Sequence, residues 1–149
     1  MEQGVQRSLV LHGSIVVMIG LLVGIPYGQA ITGGMGAEVV RAWRAAHDGL
    51  IMGGIMLVAV GPACGWVRLR PAVEALLGWS LIVSGYAFVL ALVGAAVLGV
   101  RGLEPAGPGA NLLVFGANTT GALGSLLGIG LLVGGAIGAT LSGESVQAD

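Results

Sequence analysis

The chain has 149 residues, of which 56% are hydrophobic and only 9% charged, with a mean hydropathy of +0.98 and a net charge of -1. Soluble domains carry about 25% charged residues, so this composition specifies an integral membrane protein in a lipid bilayer, where helices satisfy their own backbone. Lysine is absent and no basic patch can form, which excludes nucleic acid as a partner; the lone Cys64 excludes a disulfide scaffold and reads as a small buried hydrophobe.

Four apolar stretches predict an all-α, four-helix membrane bundle forming a single domain over 1–149, with spans at about 8–27, 43–67, 74–100 and 110–141 and a polar, disordered tail at 142–149. The first stretch reads as a span ending at Pro26 and Tyr27, the latter an interfacial anchor, rather than as a signal peptide, whose basic n-region would here rest on Arg7 alone. His12 lies about one turn inside it and is either hydrogen-bonded or snorkelling, or else a ligand or proton relay. Gly20 and Gly24 permit close helix contact. A glycine-rich connection over 29–42, ending in a short interfacial helix, leads to the second span. There Trp43 and Trp66 stand twenty-three positions apart, about 34 Å along a helix, as the two aromatic anchors.

Arg68, Leu69, Arg70 and Pro71 make a basic turn before the third span, in which Tyr86 needs a partner: a backbone carbonyl or a ligand. A Pro- and Gly-rich loop at 101–109 precedes the fourth span. Asn118, its deepest carboxamide, reads as helix-helix glue or as a pocket wall, and the glycines at 124, 128, 130, 134 and 138 demand tight packing. Four spans put both termini on one side, and the short arginine turn favours termini inside.

No paired intramembrane carboxylates, Cys-x-x-Cys, phosphate-binding fingerprint or nucleophile elbow is present, which leaves the histidines. His12 and His47 each sit near the start of their own span and so near opposite membrane faces, an axial gap on the order of 20 Å. They cannot clamp one iron; a single axial histidine with an open sixth position suits ligand or substrate binding. Around His47, Arg44 and Trp43 lie three and four residues earlier on the same face, so Arg44 can pair with haem propionates at the interface. Asp48 is a better partner for Arg44 than for the imidazole. Gly49, Gly53 and Gly54 strip bulk from the next turns, as a flat macrocycle or a close helix requires, while Met52 and Met56 read as packing. On residues alone, haem and a histidine merely hydrogen-bonded between helices both stay open.

His12-Gly13, Arg44-Ala45-Ala46-His47-x-Gly49, Leu76-Leu77-Gly78, Arg101-Gly102-Leu103 and Gly107-Pro108-Gly109, in this order and spacing, resemble the styrene oxide isomerase family. The resemblance implies a four-helix homotrimer in the cytoplasmic (plasma) membrane, with haem b near a subunit interface, His47 as axial ligand and a small apolar epoxide as substrate. In that family ferric iron acts as a Lewis acid on the epoxide oxygen, and ring opening with a 1,2-shift gives an aldehyde without net redox change. The family's substrate-holding asparagine and tyrosine align with Gly53 and Leu92 here; Tyr86 and Asn118 are the candidate catalytic substitutes. The rival expectations are a membrane haem protein for electron transfer or gas binding, and a cofactor-free structural subunit.

Overall fold

A computed structural model describes residues 2–67 and 69–146. The chain forms α1 (Glu2–Thr32), α2 (Ala37–Ala63) with a one-turn 3₁₀ extension at Cys64–Trp66, α3 (Pro71–Leu98) and α4 (Gly109–Val146). All four helices are long and apolar enough to cross a membrane, the architecture of a multi-pass membrane protein. All four helices begin before the expected spans, and α1 and α4 also run past their ends, because a helix does not end where the hydrocarbon does, while α2 with its 3₁₀ turn and α3 stop one and two residues short. Pro26 lies inside α1 instead of ending it, and only residues 33–36 separate α1 from α2, so the expected long connection is helix. Proline costs one i→i−4 bond, which an otherwise favourable helix tolerates. The expected tail is helical through Val146, Gln147–Asp149 lie outside the described residues, and so does Arg68 of the expected basic turn.

In hydrocarbon there is no hydrophobic force between helices, so close packing of small residues has to hold them together. α1 and α2 run antiparallel, and their contact repeats every seven residues. A side chain at Gly61 would meet the Gln6 carbonyl at 2.9 Å, and one at Gly54 would meet the Gly13 carbonyl at 2.7 Å. The next member of the series on α2 is His47, which faces the Gly20 carbonyl. Seven-residue spacing is the signature of left-handed helix pairing. Leu9, Leu57, Val60, Cys64, Leu77, Leu81 and Ile82 form the core cluster at one end of the bundle, Cys64 packing as the small hydrophobe expected.

α4 packs chiefly on α3, and its glycines divide into two sets. Gly121, Gly124, Gly128 and Gly135, at alternating three- and four-residue steps broken only by Leu131, face Phe88, Ser80, Leu81 and Leu69. Gly130, Gly134 and Gly138 have nothing within 4 Å of an added Cβ, so the tight packing expected of them is confined to the other set. Ser84, 2% exposed, donates to the Gly121 carbonyl at 2.6 Å and locks the α3–α4 seam.

The loop between these helices is held by asparagines. Gly102 has φ +58, a conformation glycine alone adopts cheaply, and its N–H donates to Asn111 Oδ1 (2.8 Å) while its carbonyl accepts from Asn118 Nδ2 (3.1 Å). Asn118 is therefore glue, between α4 and its own preceding loop. The clamp presents Arg101 to Glu38 at 3.3 Å, tying this loop to the start of α2.

Gly54→Val forces bulk onto backbone atoms of α1 and is expected to destabilise the bundle by about 1–3 kcal/mol or more in detergent-denaturation titrations. Gly53→Ala, one residue earlier with nothing within 4 Å, is expected to be near neutral.

Candidate functional site

His47 sits in the first half of α2, facing α1. Its Nδ1 lies 2.9 Å from the Gly20 carbonyl oxygen, and a carbonyl can only accept, so Nδ1 carries the proton and donates. Nε2 is then the basic nitrogen, and no hydrogen bond forms at it among the described residues. Gly24, one turn beyond Gly20, makes room for the ring: an added Cβ would stand 3.1 Å from Cε1. Tyr27 lies beside the imidazole with ring centroids 5.8 Å apart and planes tilted by 30°. Its position at the ring adds a contact to the anchoring role expected of it. Gly20, Gly24 and Tyr27 all come from α1. The antiparallel hairpin, in which residue numbers facing one another sum to 67, is the signal that pairs His47 with Gly20.

Arg44 is exposed and pairs through Nε with Asp48 at 3.4 Å, the partner expected for it. Such a surface i,i+4 pair contributes only about 0.3–0.5 kcal/mol. Trp43 is half-buried and packs against the cluster of Val16, Val23, Ala46 and Leu50, so it faces the bundle rather than serving as an anchor; Trp66, 87% exposed, fits the anchor expected at the other end. Met52 is 72% exposed and Met56 packs on the core, so both stand apart from the imidazole. Among the described residues no group of three His, Cys, Asp or Glu side chains is placed to hold a bare metal ion.

The other face of α2 borders two cavities. One, of about 350 Å³, is lined by Gly49, Gly53, Phe88, Leu92, Ser84 and Ser125 among others. Gly53 and Leu92, the positions at which the resemblance expects an asparagine and a tyrosine, thus converge on one apolar space. The hydroxyls at its edge are committed, Ser84 to the Gly121 carbonyl and Ser125 to the Ala122 carbonyl. Leu92 also borders the second cavity, about 430 Å³, which lies toward the membrane surface between Ala42, Ala45 and Ala95 and is rimmed by Glu38, Arg41 and Arg101.

Two residues along a helix turn it by about 200°, so Gly49 and its cavity lie across α2 from His47. One protomer does not bring them together. Nor does it bring Tyr86 or Asn118 to the cavity: Tyr86 Oη pairs with His12 Nδ1 at 2.9 Å, and Asn118 holds Gly102. The bond to His12 also replaces the carbonyl partner expected for Tyr86. Twelve residues of α1 separate His12 from Gly24, about 18 Å of rise, in keeping with two histidines too far apart to share an iron.

None of the curated proteins matches the chain. The family described as Styrene oxide isomerase matches residues 5–137, a stretch that runs from the first turns of α1 far into α4 and takes in His47, Gly53 and Leu92. With nine-tenths of its length matched in one colinear stretch, and four membrane-crossing helices beneath the match, the chain belongs to the styrene oxide isomerase family.

Proposed function

We propose that the protein is a haem b-binding isomerase of the plasma membrane that converts a small apolar epoxide to an aldehyde, with His47 as the axial ligand. The observation that carries this reading is the bond from His47 Nδ1 to the Gly20 carbonyl. Ligating imidazoles give their second nitrogen to a carbonyl or carboxylate, which fixes the tautomer, orients the ring and raises the basicity of the ligating nitrogen. His47 has that arrangement, with Nε2 left as the donor to iron. Arg44, whose ion pair with Asp48 is weak and exposed, pairs with a propionate at the membrane surface, and Trp43 packs one turn above the ligand.

Bound ferric haem supplies a Lewis acid for the charge that develops on the epoxide oxygen. The chain's own contribution is the apolar cavity at Gly49, Gly53 and Leu92, which takes the hydrocarbon body of the substrate. Its apolar walls exclude water, which would divert an opened epoxide to a diol. With the hydroxyls of Ser84 and Ser125 already committed, the body is held by shape rather than by hydrogen bonds. Because α2 stands between His47 and the cavity within a protomer, the reading places the cavity against His47 of an adjacent protomer in a homotrimer. Cyclic trimers join two different faces of the same chain.

The purified protein is expected to show a Soret band, and His47→Ala to lose it; a variant that keeps its full haem content would remove His47 from this role. Gly24→Val, which crowds the imidazole, is expected to lower haem content several-fold, whereas Gly28→Val, with nothing within 4 Å, leaves it unchanged. Gly53→Leu fills the cavity and is expected to cut aldehyde formation from the bulkiest accepted epoxide by about tenfold or more with haem content intact. Unchanged turnover would exclude the cavity. Reversible reduction by a quinol, without aldehyde from any aryl or alkyl epoxide, would identify an electron carrier instead.

A further inference from the structure

A second ligand site is outlined nearer the other membrane face, between α1 and α3. His12 Nδ1 and Tyr86 Oη stand 2.9 Å apart with the rings edge-on, centroids 5.6 Å apart and planes at 81°. The direction of this bond follows from donor and acceptor strength. A phenol is a better donor than a neutral imidazole N–H and an imine nitrogen a better acceptor than a phenol oxygen, so in the neutral pair the hydroxyl donates to an unprotonated Nδ1. The imidazole proton then resides on Nε2, which makes no hydrogen bond among the described residues.

Beside this ring lies a groove of about 220 Å³, lined by His12 together with Val5, Ser8, Gly78, Trp79 and Ile82. The Val5 side chain packs directly on the bare backbone of Gly78 and closes the floor. Trp79, 65% exposed, stands at the rim as a flat apolar wall. A mostly apolar recess whose polar groups are the His12 N–H and the Ser8 hydroxyl matches a molecule that partitions into hydrocarbon and carries an acceptor. A carbonyl on a planar ring meets that description.

We propose that this groove binds a flat, membrane-soluble carbonyl compound, its oxygen accepting a hydrogen bond from His12 Nε2 and its ring lying against Trp79. Two sources share this chemistry, an aromatic aldehyde and a quinone. The site is separate from His47 and does not depend on haem being bound there.

The test uses the full-length protein in micelles with ¹⁵N-labelled histidine; the chain has two histidines, and His12→Phe assigns them. The expected spectrum shows His12 protonated at Nε2, with a shift that saturates on adding a 1,4-naphthoquinone or benzaldehyde and not on adding 2-methylnaphthalene. Saturation by one or the other names the source, and saturation by both supports the shared chemistry. In equilibrium dialysis His12→Phe is expected to weaken binding at least about fivefold. Trp79→Ala, at an exposed rim where folding is least at risk, is expected to weaken it several-fold as well. A proton on Nδ1, no saturation by either carbonyl compound, an equal response to the hydrocarbon, or unchanged affinity in both variants would overturn the proposal.

Discussion

Three backbone carbonyls on α1, those of Gln6, Gly13 and Gly20, fix the geometry of the first hairpin. Two of them meet a bare glycine Cα on α2, and that contact brings the helices together as closely as backbone allows. The third meets an imidazole. Since lipid offers no hydrophobic gain for pairing helices, these steric fits set the register, and the register carries His47 to the Gly20 carbonyl. A shift of one residue would rotate α2 by about 100° and part the ring from its acceptor. The same contacts that hold the hairpin therefore also choose which imidazole nitrogen is left basic.

α2 serves as a partition. On one side it carries His47 against α1, and on the other Gly49 and Gly53 open the space that Leu92 and Phe88 of α3 complete. The loop clamp reinforces the second side from a distance: Asn111 and Asn118 hold Gly102, and Arg101 reaches Glu38 at the beginning of α2. Removing side-chain bulk has two separate purposes here. At Gly54, Gly61, Gly124 and Gly128 it lets helices touch, whereas at Gly53 it leaves room.

The four spans and the family were legible in the sequence, because each rests on composition, spacing or a local motif. Asp48 as the partner of Arg44 was legible too, since i,i+4 pairs need only one helix. What the sequence did not disclose depends on how helices meet. The Gly20 carbonyl behind His47, the Tyr86 hydroxyl on His12 and the shared space of Gly53 and Leu92 each join residues from different helices or distant turns. Glycines at 124 and 134 look alike in the sequence; only the lateral position of α4 on α3 separates the packed from the open. Helix ends were misjudged because hydropathy reports where lipid contact stops, while Pro26 and residues 142–146 continue the helix beyond it.

All the groups gathered around His47, from Gly20 and Gly24 to Tyr27, Arg44 and Asp48, belong to the first hairpin. The apolar space beyond α2 instead requires α3 and, at Ser125, α4. During synthesis the imidazole is thus oriented on a nascent chain about two fifths complete, before the α3 and α4 walls of the cavity exist. The hairpin that orients the imidazole and the cavity beyond α2 form at different times, the hairpin first.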